Sequence, residues 1–393
     1  MFARLPSTRK AVAYIFTLMS FVWLAACEPV GSANDNNGRR IDPNATVQVA
    51  LLVPGGSGDG TDSLLASNLE NAARLAISDL NGVSIDLRVY NTGADPVVAA
   101  SVASQAVNDG AKIILGPLFG EAANAVGIAV ANRNVNVLAF SNNTSIAGGN
   151  VFVLGATFQN TANRLVQYSG RQGISRYAVI HGDDVAGEAG RYAITTAVRN
   201  NGGQVSSIES YPLSQQGIFN SARRISASTK SGGADAVFLT AGVNADLPIL
   251  ATALRDTGID PAETQYIGLT RWSAAPQALA LPGLQGGLFT LPDQNMKSLF
   301  ESRYTAAYGA APHPLSGLAY DGIAAIGALV AADNANALTK LALTSPQGFQ
   351  GTAGIFRLLP NGQNQRGLAV ATVRDGGVVV LEPAPRSFGG AGS

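Results

Sequence analysis

The sequence predicts an α/β protein built as two lobes, each a parallel sheet covered by helices. Three observations carry that reading. From residue 46 onward, short β-rich apolar runs alternate with segments whose apolar residues recur at helical spacing. A polar, glycine-containing stretch at 142–150 (NNTSIAGGN) interrupts the alternation, which then restarts. The end of the chain reads as antiparallel strands closed by a tight turn.

Residues 46–53 (TVQVALLV) are a strand, followed by a Gly-rich loop. In 62–80, Leu65, Leu69, Ala72, Ala76 and Leu80 share one helical face. Residues 83–90 alternate as a strand. The helix over 95–108 starts with Asp95 as N-cap and Pro96 at N1, where a missing N–H costs nothing. Strand 112–115, helix 119–132 and strand 136–140 complete the first run. After 151–154 the pattern resumes with helix 159–171, strand 176–181 (RYAVIH), helix 187–200, strand 204–211, helix 218–229, strand 234–240 (ADAVFLT), helix 245–257 and strand 265–269. Residues 287–291 form a strand, and 294–308, 315–332 and 335–343 read as helices. Strands over 353–359, 368–374 and 378–381 finish the fold, the last two joined at Asp375-Gly376-Gly377, and 387–393 are a flexible tail.

The N-terminus carries a different signal. Arg4, Arg9 and Lys10 precede an apolar run over 11–24 that is short for a membrane span. Leu24-Ala25-Ala26-Cys27 follows, and Cys27 is the single cysteine of the chain. This resembles a bacterial lipobox, which implies removal of 1–26, lipidation of Cys27 and anchoring to a membrane on its periplasmic side. Residues 28–45 are polar and Asn-rich and predict, with Cys27, a flexible tether. Glu28, rather than Asp, leans toward the outer membrane. With the three leader cations gone, 26 acidic residues outnumber the basic ones by three. No basic cluster suggests nucleic acid.

Specific segments add a family resemblance. Residues 49–55 (VALLVPG), 71–77 (NAARLAI), 114–118 (ILGPL), 139–144 (AFSNNT) and 318–321 (LAYD) resemble type I periplasmic binding proteins, the leucine/isoleucine/valine-binding proteins and relatives. The resemblance implies two Rossmann-like lobes joined by three crossovers, near 142–150, 270–286 and 344–352. Lobe 1 is then 46–141 plus 287–343, and lobe 2 is 151–269 plus 353–382. Residues 90–93 (YNTG), 115–119 (LGPLF), 140–148 (FSNNTSIAG) and 267–272 (IGLTRW) further resemble penicillin-binding protein activators. The enterobacterial activators carry an extra N-terminal helical-repeat domain, where this chain is expected to have only its tether.

Two such lobes enclose a cleft at the carboxyl ends of their strands. In the amino-acid binders of the family, the loop after the fourth strand seats the ligand carboxylate. Here that loop is Ser141, Asn142, Asn143 and Thr144, which reads equally as a turn rich in Asn and Ser for conformational reasons. Three positions depart from amino-acid binders. Residues 117–121 (PLFGE) lack a hydroxyl, Ala186-Gly187 stands where an aromatic precedes Gly, and Thr270-Arg271-Trp272 stands where an acid holds the ammonium. Arg271 repels an ammonium and pairs with a carboxylate or phosphate. Trp272 either stacks on a ligand ring or is a partly buried hinge aromatic.

Asp183, Asp184 and Glu188 read as a solvated helix start rather than a metal site. Residues 55–60 (GGSGDG) lack the spacing of a phosphate loop and read as a cleft-edge loop. His181 ends a strand, with no nucleophile elbow nearby, and His313 lies between two prolines. The expectation is therefore a protein without enzyme activity or cofactor. The first function expected is an activator of a peptidoglycan synthase. The alternative is the solute-binding lipoprotein of a branched-chain-type amino-acid ABC transporter, partnered by a permease, with a small molecule in the cleft. A sensor module is a third.

Overall fold

The computed structural model describes residues 38–332 and 334–389. Cys27 and the leader lie outside the described residues.

The first lobe is a succession of β1 (Val47–Val53), α1 (Gly60–Ser78), β2 (Ile85–Asn91), α2 (Pro96–Asn108), β3 (Ile113–Leu115), α3 (Gly120–Val130), β4 (Asn136–Ala139) and β5 (Val151–Val153). Its five-stranded sheet has the order β2-β1-β3-β4-β5, and every pairing is parallel. β1 is buried along its whole length, as a central strand covered on both faces must be. Leu51 and Val49 face one core and Leu52 and Ala50 the other, which is the period of a strand. Asp95 accepts from Val97 N and Val98 N, so the expected cap of α2 forms with Pro96 at its first turn.

The second lobe holds α4 (Phe158–Arg171), β6 (Arg176–Gly182), α5 (Val185–Asn200), β7 (Gln204–Tyr211), α6 (Gln215–Ser231), β8 (Ala236–Leu239), α7 (Leu247–Asp256), β9 (Gln265–Gly268) and β10 (Leu288–Leu291). The chain then returns to lobe 1 as α8 (Gln294–Tyr308), α9 (Gly317–Ala331) and the short α10 (Lys340–Leu343). A three-stranded antiparallel sheet follows: β11 (Phe349–Gly351), β12 (Gly354–Leu358) and β13 (Asn364–Arg366). The hairpin β14 (Ala369–Arg374) and β15 (Gly377–Glu382) closes the lobe 2 sheet, whose order is β15-β14-β10-β9-β8-β6-β7. Asp375 and Gly376 both carry positive φ in that turn.

The lobe boundaries differ from those expected. Val151–Val153 pairs in parallel with β4, so it completes the lobe 1 sheet, and the chain crosses only at 154–157. Leu288–Leu291 pairs with β9 and β14, which puts it in lobe 2 and moves the second crossing to Pro292-Asp293. Phe349, Phe356 and Leu358 pack into the lobe 1 core, so the third crossing falls at Gly367-Leu368. Three- and four-residue apolar strands look alike whichever sheet receives them; only long-range pairing decides.

Part of the expected tether is also ordered against the protein. Ile41 is buried in the lobe 1 core, and its N–H donates to Ala335 O at 3.0 Å. Gly38 sits so close to Leu338 O that an added Cβ would lie 2.4 Å from it. The Ile41 side chain, its backbone bond, the close approach of Gly38 and the Arg39 Nε bond to Arg133 O dock this segment together. Near the other end, Phe388 lies under the Arg357 guanidinium, 4.7 Å from its ring centre, where a flexible tail was expected. The helix expected over 335–343 shrinks to Lys340–Leu343.

Candidate ligand-binding cleft

A cleft of about 950 Å³ lies between the lobes, lined by residues of both and by the crossing segments. Four of the six residues singled out in the sequence line it: Ser141, Asn142, Asn143 and Arg271. Ser141 Oγ accepts from Asn143 N at 3.1 Å, and Asn143 Oδ1 accepts from Ser145 N and Ser145 Oγ at 3.0 and 2.8 Å. The loop is thus braced by its own side chains. Thr144 opens a short 3-10 turn, Thr144–Ile146, and is not among the lining residues.

For Trp272 the structure decides against ligand stacking, and the ring is more deeply buried than the alternative of a partly buried hinge aromatic. It is fully buried in the lobe 2 core and stacks on Phe289, with ring centres 5.6 Å apart. Gly268 and Gly287 form its slot: a Cβ on either would lie 2.2 or 2.4 Å from the indole. It therefore stacks on no ligand. Its place beside Arg271 nevertheless shapes the cleft. Leu269 N donates to Leu239 O at 2.9 Å, and Thr270 Oγ1 donates to Ala241 O at 2.8 Å. The chain is pinned on both sides of Arg271, whose backbone is extended and whose side chain is exposed in the cleft.

The lobe 1 wall is built from the start of α3 and the helices α8 and α9. α3 begins at Phe119 without a side-chain cap, unlike α1, α2, α4, α5, α6 and α8, so its first amides stay available at the cleft. Leu118, Phe119, Phe300, Leu315 and Leu318 make this wall largely apolar. Lys297 and Glu301 also line it and pair with each other at 2.5 Å.

The cleft floor holds a pair that sequence reasoning missed. Arg366 Nη1 lies 3.2 Å from Asp321 Oδ2, and its Nε and Nη2 donate to Leu154 O. Asp321 Oδ1 accepts from Thr352 N at 2.6 Å. One sequence signal pointed here: Asp321 is the lone charge in the apolar helix GLAYDGIAAIGALVA, and a buried charge needs a partner. Arg366 gave none. His313, left without a role in the sequence, also lines the cleft. Its backbone N donates to Asn68 Oδ1 at 2.8 Å and its Nδ1 accepts from Leu315 N at 3.2 Å, which shapes the loop before α9.

His181 lies apart from the cleft lining, buried with Nδ1 3.0 Å from Gly182 O and 3.7 Å from Glu188. Asp184 caps α5, and Asp59 caps α1 at the end of the Gly-rich loop. Among the described residues, no group of three His, Cys, Asp or Glu could hold a metal ion, and no helix is long and apolar enough to cross a membrane.

A family model described as periplasmic binding protein matches residues 46–377, most of the chain. The chain belongs to that family. It is a type I periplasmic binding protein, and its family is periplasmic and binds solutes rather than catalysing reactions. Solved structures share the fold. A putative branched-chain amino acid ABC transporter protein from Rhodospirillum rubrum superposes with a TM-score of 0.70 at 19% identity, covering 86% of this chain and all of its own. An ABC transporter substrate-binding protein from Desulfitobacterium hafniense, in complex with Leu, gives 0.60 at 18% over 86% of this chain and 100% of its own. A solute-binding protein from Rhodopseudomonas palustris, in complex with 3,4-dihydroxy benzoic acid, gives 0.52 at 17% over 87% and 98%. No curated protein matches the chain.

Proposed function

We propose that this periplasmic binding protein is the solute-binding subunit of an ABC uptake system. Its lobes close on a small organic ligand and present it to a membrane permease. The observation that carries this reading is the cleft itself. It is lined from both lobes, it lies where three chain crossings act as a hinge, and it joins polar groups to apolar walls. The likeness to branched-chain amino acid transporter proteins supports uptake over the activation of a peptidoglycan synthase. The activator reading draws support only from the short segments quoted above.

Leu24-Ala25-Ala26-Cys27 supports a lipid anchor at Cys27. Two or three acyl chains would hold the protein stably at a membrane, where one would not.

A thermal melt of the purified protein against amino acids, organic acids and muropeptides tests the reading. A ligand at a hundred times its Kd adds about 2.7 kcal/mol, which raises Tm by a few degrees. A rise with a small solute is the expected result. A response confined to muropeptides, or none, would contradict uptake.

A further inference from the structure

We propose that Arg271 is the anion-binding residue of this cleft. The ligand is then a small organic acid: a carboxylate on an apolar or aromatic body, with no ammonium group beside it. The inference rests on the solute-binding reading and narrows it.

Three cationic side chains line the cleft, Arg271, Lys297 and Arg366. Two are committed, Lys297 to Glu301 and Arg366 to Asp321. The Arg271 side chain has no hydrogen-bond or ion-pair partner among the described residues. It is also held in place. The hydroxyl of Thr270 is tied to Ala241 O, and Trp272 is wedged between Gly268 and Gly287, so the backbone from which Arg271 reaches the cleft is fixed on both sides. An unpaired guanidinium on an anchored backbone offers a planar fork that matches a carboxylate.

The rest of the lobe 2 wall sets the class of acid. Around Arg271 it presents Val243, Leu269, Ala274 and Leu291, with the hydroxyls of Thr161 and Thr290. Among the described residues, no carboxylate on this wall lines the cleft. An α-amino acid seated on Arg271 would carry its ammonium within one carbon of the guanidinium partner, with no counter-charge to receive it, and would lose its hydration uncompensated. The carboxylates of the other wall and the floor do not answer this. Glu301 and Asp321 are paired; Glu121, at the start of α3 on the opposite wall, is the one unpaired carboxylate among the described residues lining the cleft, and a Glu121→Gln variant separates its contribution from that of Arg271. Phe119 and Phe300 of lobe 1 then cover the apolar body.

Isothermal titration of the purified full chain with two matched probe series decides the matter. One series is isocaproate, leucine and isoamylamine; the other is hydrocinnamate, phenylalanine and phenethylamine. Within each, the skeleton is constant while the carboxylate and the ammonium are removed in turn. Inorganic phosphate is the further probe for a bare anion site. The expected result is that an acid binds at least tenfold more tightly than its amino acid, and that amines and phosphate do not bind. Arg271→Gln should weaken the acid by about 10–100-fold, with Arg271→Lys between the two and the melting of the ligand-free protein unchanged. Three results would each overturn the inference and leave uptake standing: leucine or phenylalanine binding as well as the acids, phosphate binding in their place, or Arg271→Gln binding an acid like the native protein. A native protein that binds neither these probes nor any amino acid would bring down the uptake reading as well.

Discussion

Arg366 and Asp321 pair at 3.2 Å on the floor of the cleft, with side chains 6% and 1% exposed, and so tie the last strand before the third crossing to a helix of lobe 1. Arg366 also donates to Leu154 O, where the first crossing begins. One ion pair therefore joins two of the three chain crossings to the lobe that anchors them.

Removing one partner would strand the other charge in the interior. Asp321→Ala or Arg366→Ala should each cost about 3–5 kcal/mol in chemical denaturation. The double variant Asp321→Asn, Arg366→Met should recover most of that loss, because it removes both charges at nearly constant volume and keeps an acceptor for Thr352 N. Single variants as stable as the native protein would show that the pair does not hold the hinge.

A second ion pair predicts an acid-side loss of stability. Asp79, at the end of α1, receives hydrogen bonds from Arg303 on α8 and from Tyr320 on α9, the latter at 2.5 Å. Burial opposes its charge, but those two donors outweigh it and hold the carboxyl below its ordinary value of 3.8. Burial and the same carboxylate push the Tyr320 hydroxyl up to about 12. The Asp79 contribution is fully present above its unfolded pKa and disappears as pH falls through the lower folded one. Melting temperatures of native and Asp79→Asn proteins should therefore differ at neutral pH, and the gap should close as pH falls below the ordinary carboxylate value of 3.8. A constant gap would mean that the charge is not what stabilises this corner.

Docking of the segment before β1 is testable by truncating one side chain. Ile41→Ala should cost about 2 kcal/mol, as expected for a buried aliphatic residue, whereas exposed Asn44→Ala should cost almost nothing. Equal effects would mean that the segment is not held by Ile41.

The slot for Trp272 predicts a destabilising glycine replacement. Gly268→Ala places a methyl group 2.2 Å from the indole Nε1 and should cost about 1–3 kcal/mol by overpacking. Trp272→Ala should cost about 3–5 kcal/mol through the cavity it leaves. If Gly268→Ala melts like the native protein, the slot is looser than the structure shows.

The alternation of strands and helices was legible because it is a local property of period and capping, as Asp95-Pro96 and Asp375-Gly376 illustrate. The sheet to which a short strand belongs was not. Residues 151–153 (VFV) and 288–291 (LFTL) are equally apolar, and only their partners Val137 and Ile267 assign them to different lobes. In the cleft, Ser141, Asn142, Asn143 and Arg271 could be found because loops at strand ends are positions known in advance. The sequence did not decide between the two readings of Trp272. Its burial depends on Gly268 and on Gly287, a residue fifteen further along whose lack of a side chain makes room for the ring. Arg366 stayed hidden because its partner Asp321 is 45 residues away.

A cleft that holds a small solute should carry it through gentle purification. Native mass spectrometry of the protein isolated from the cells that make it tests this most directly. The expected result is one added small-molecule mass on the folded chain, lost on denaturation and restored by adding the same compound. A chain that stays bare after dialysis against extract of its own periplasm, or one that is isolated bound to a peptidoglycan synthase without a small molecule, would contradict it.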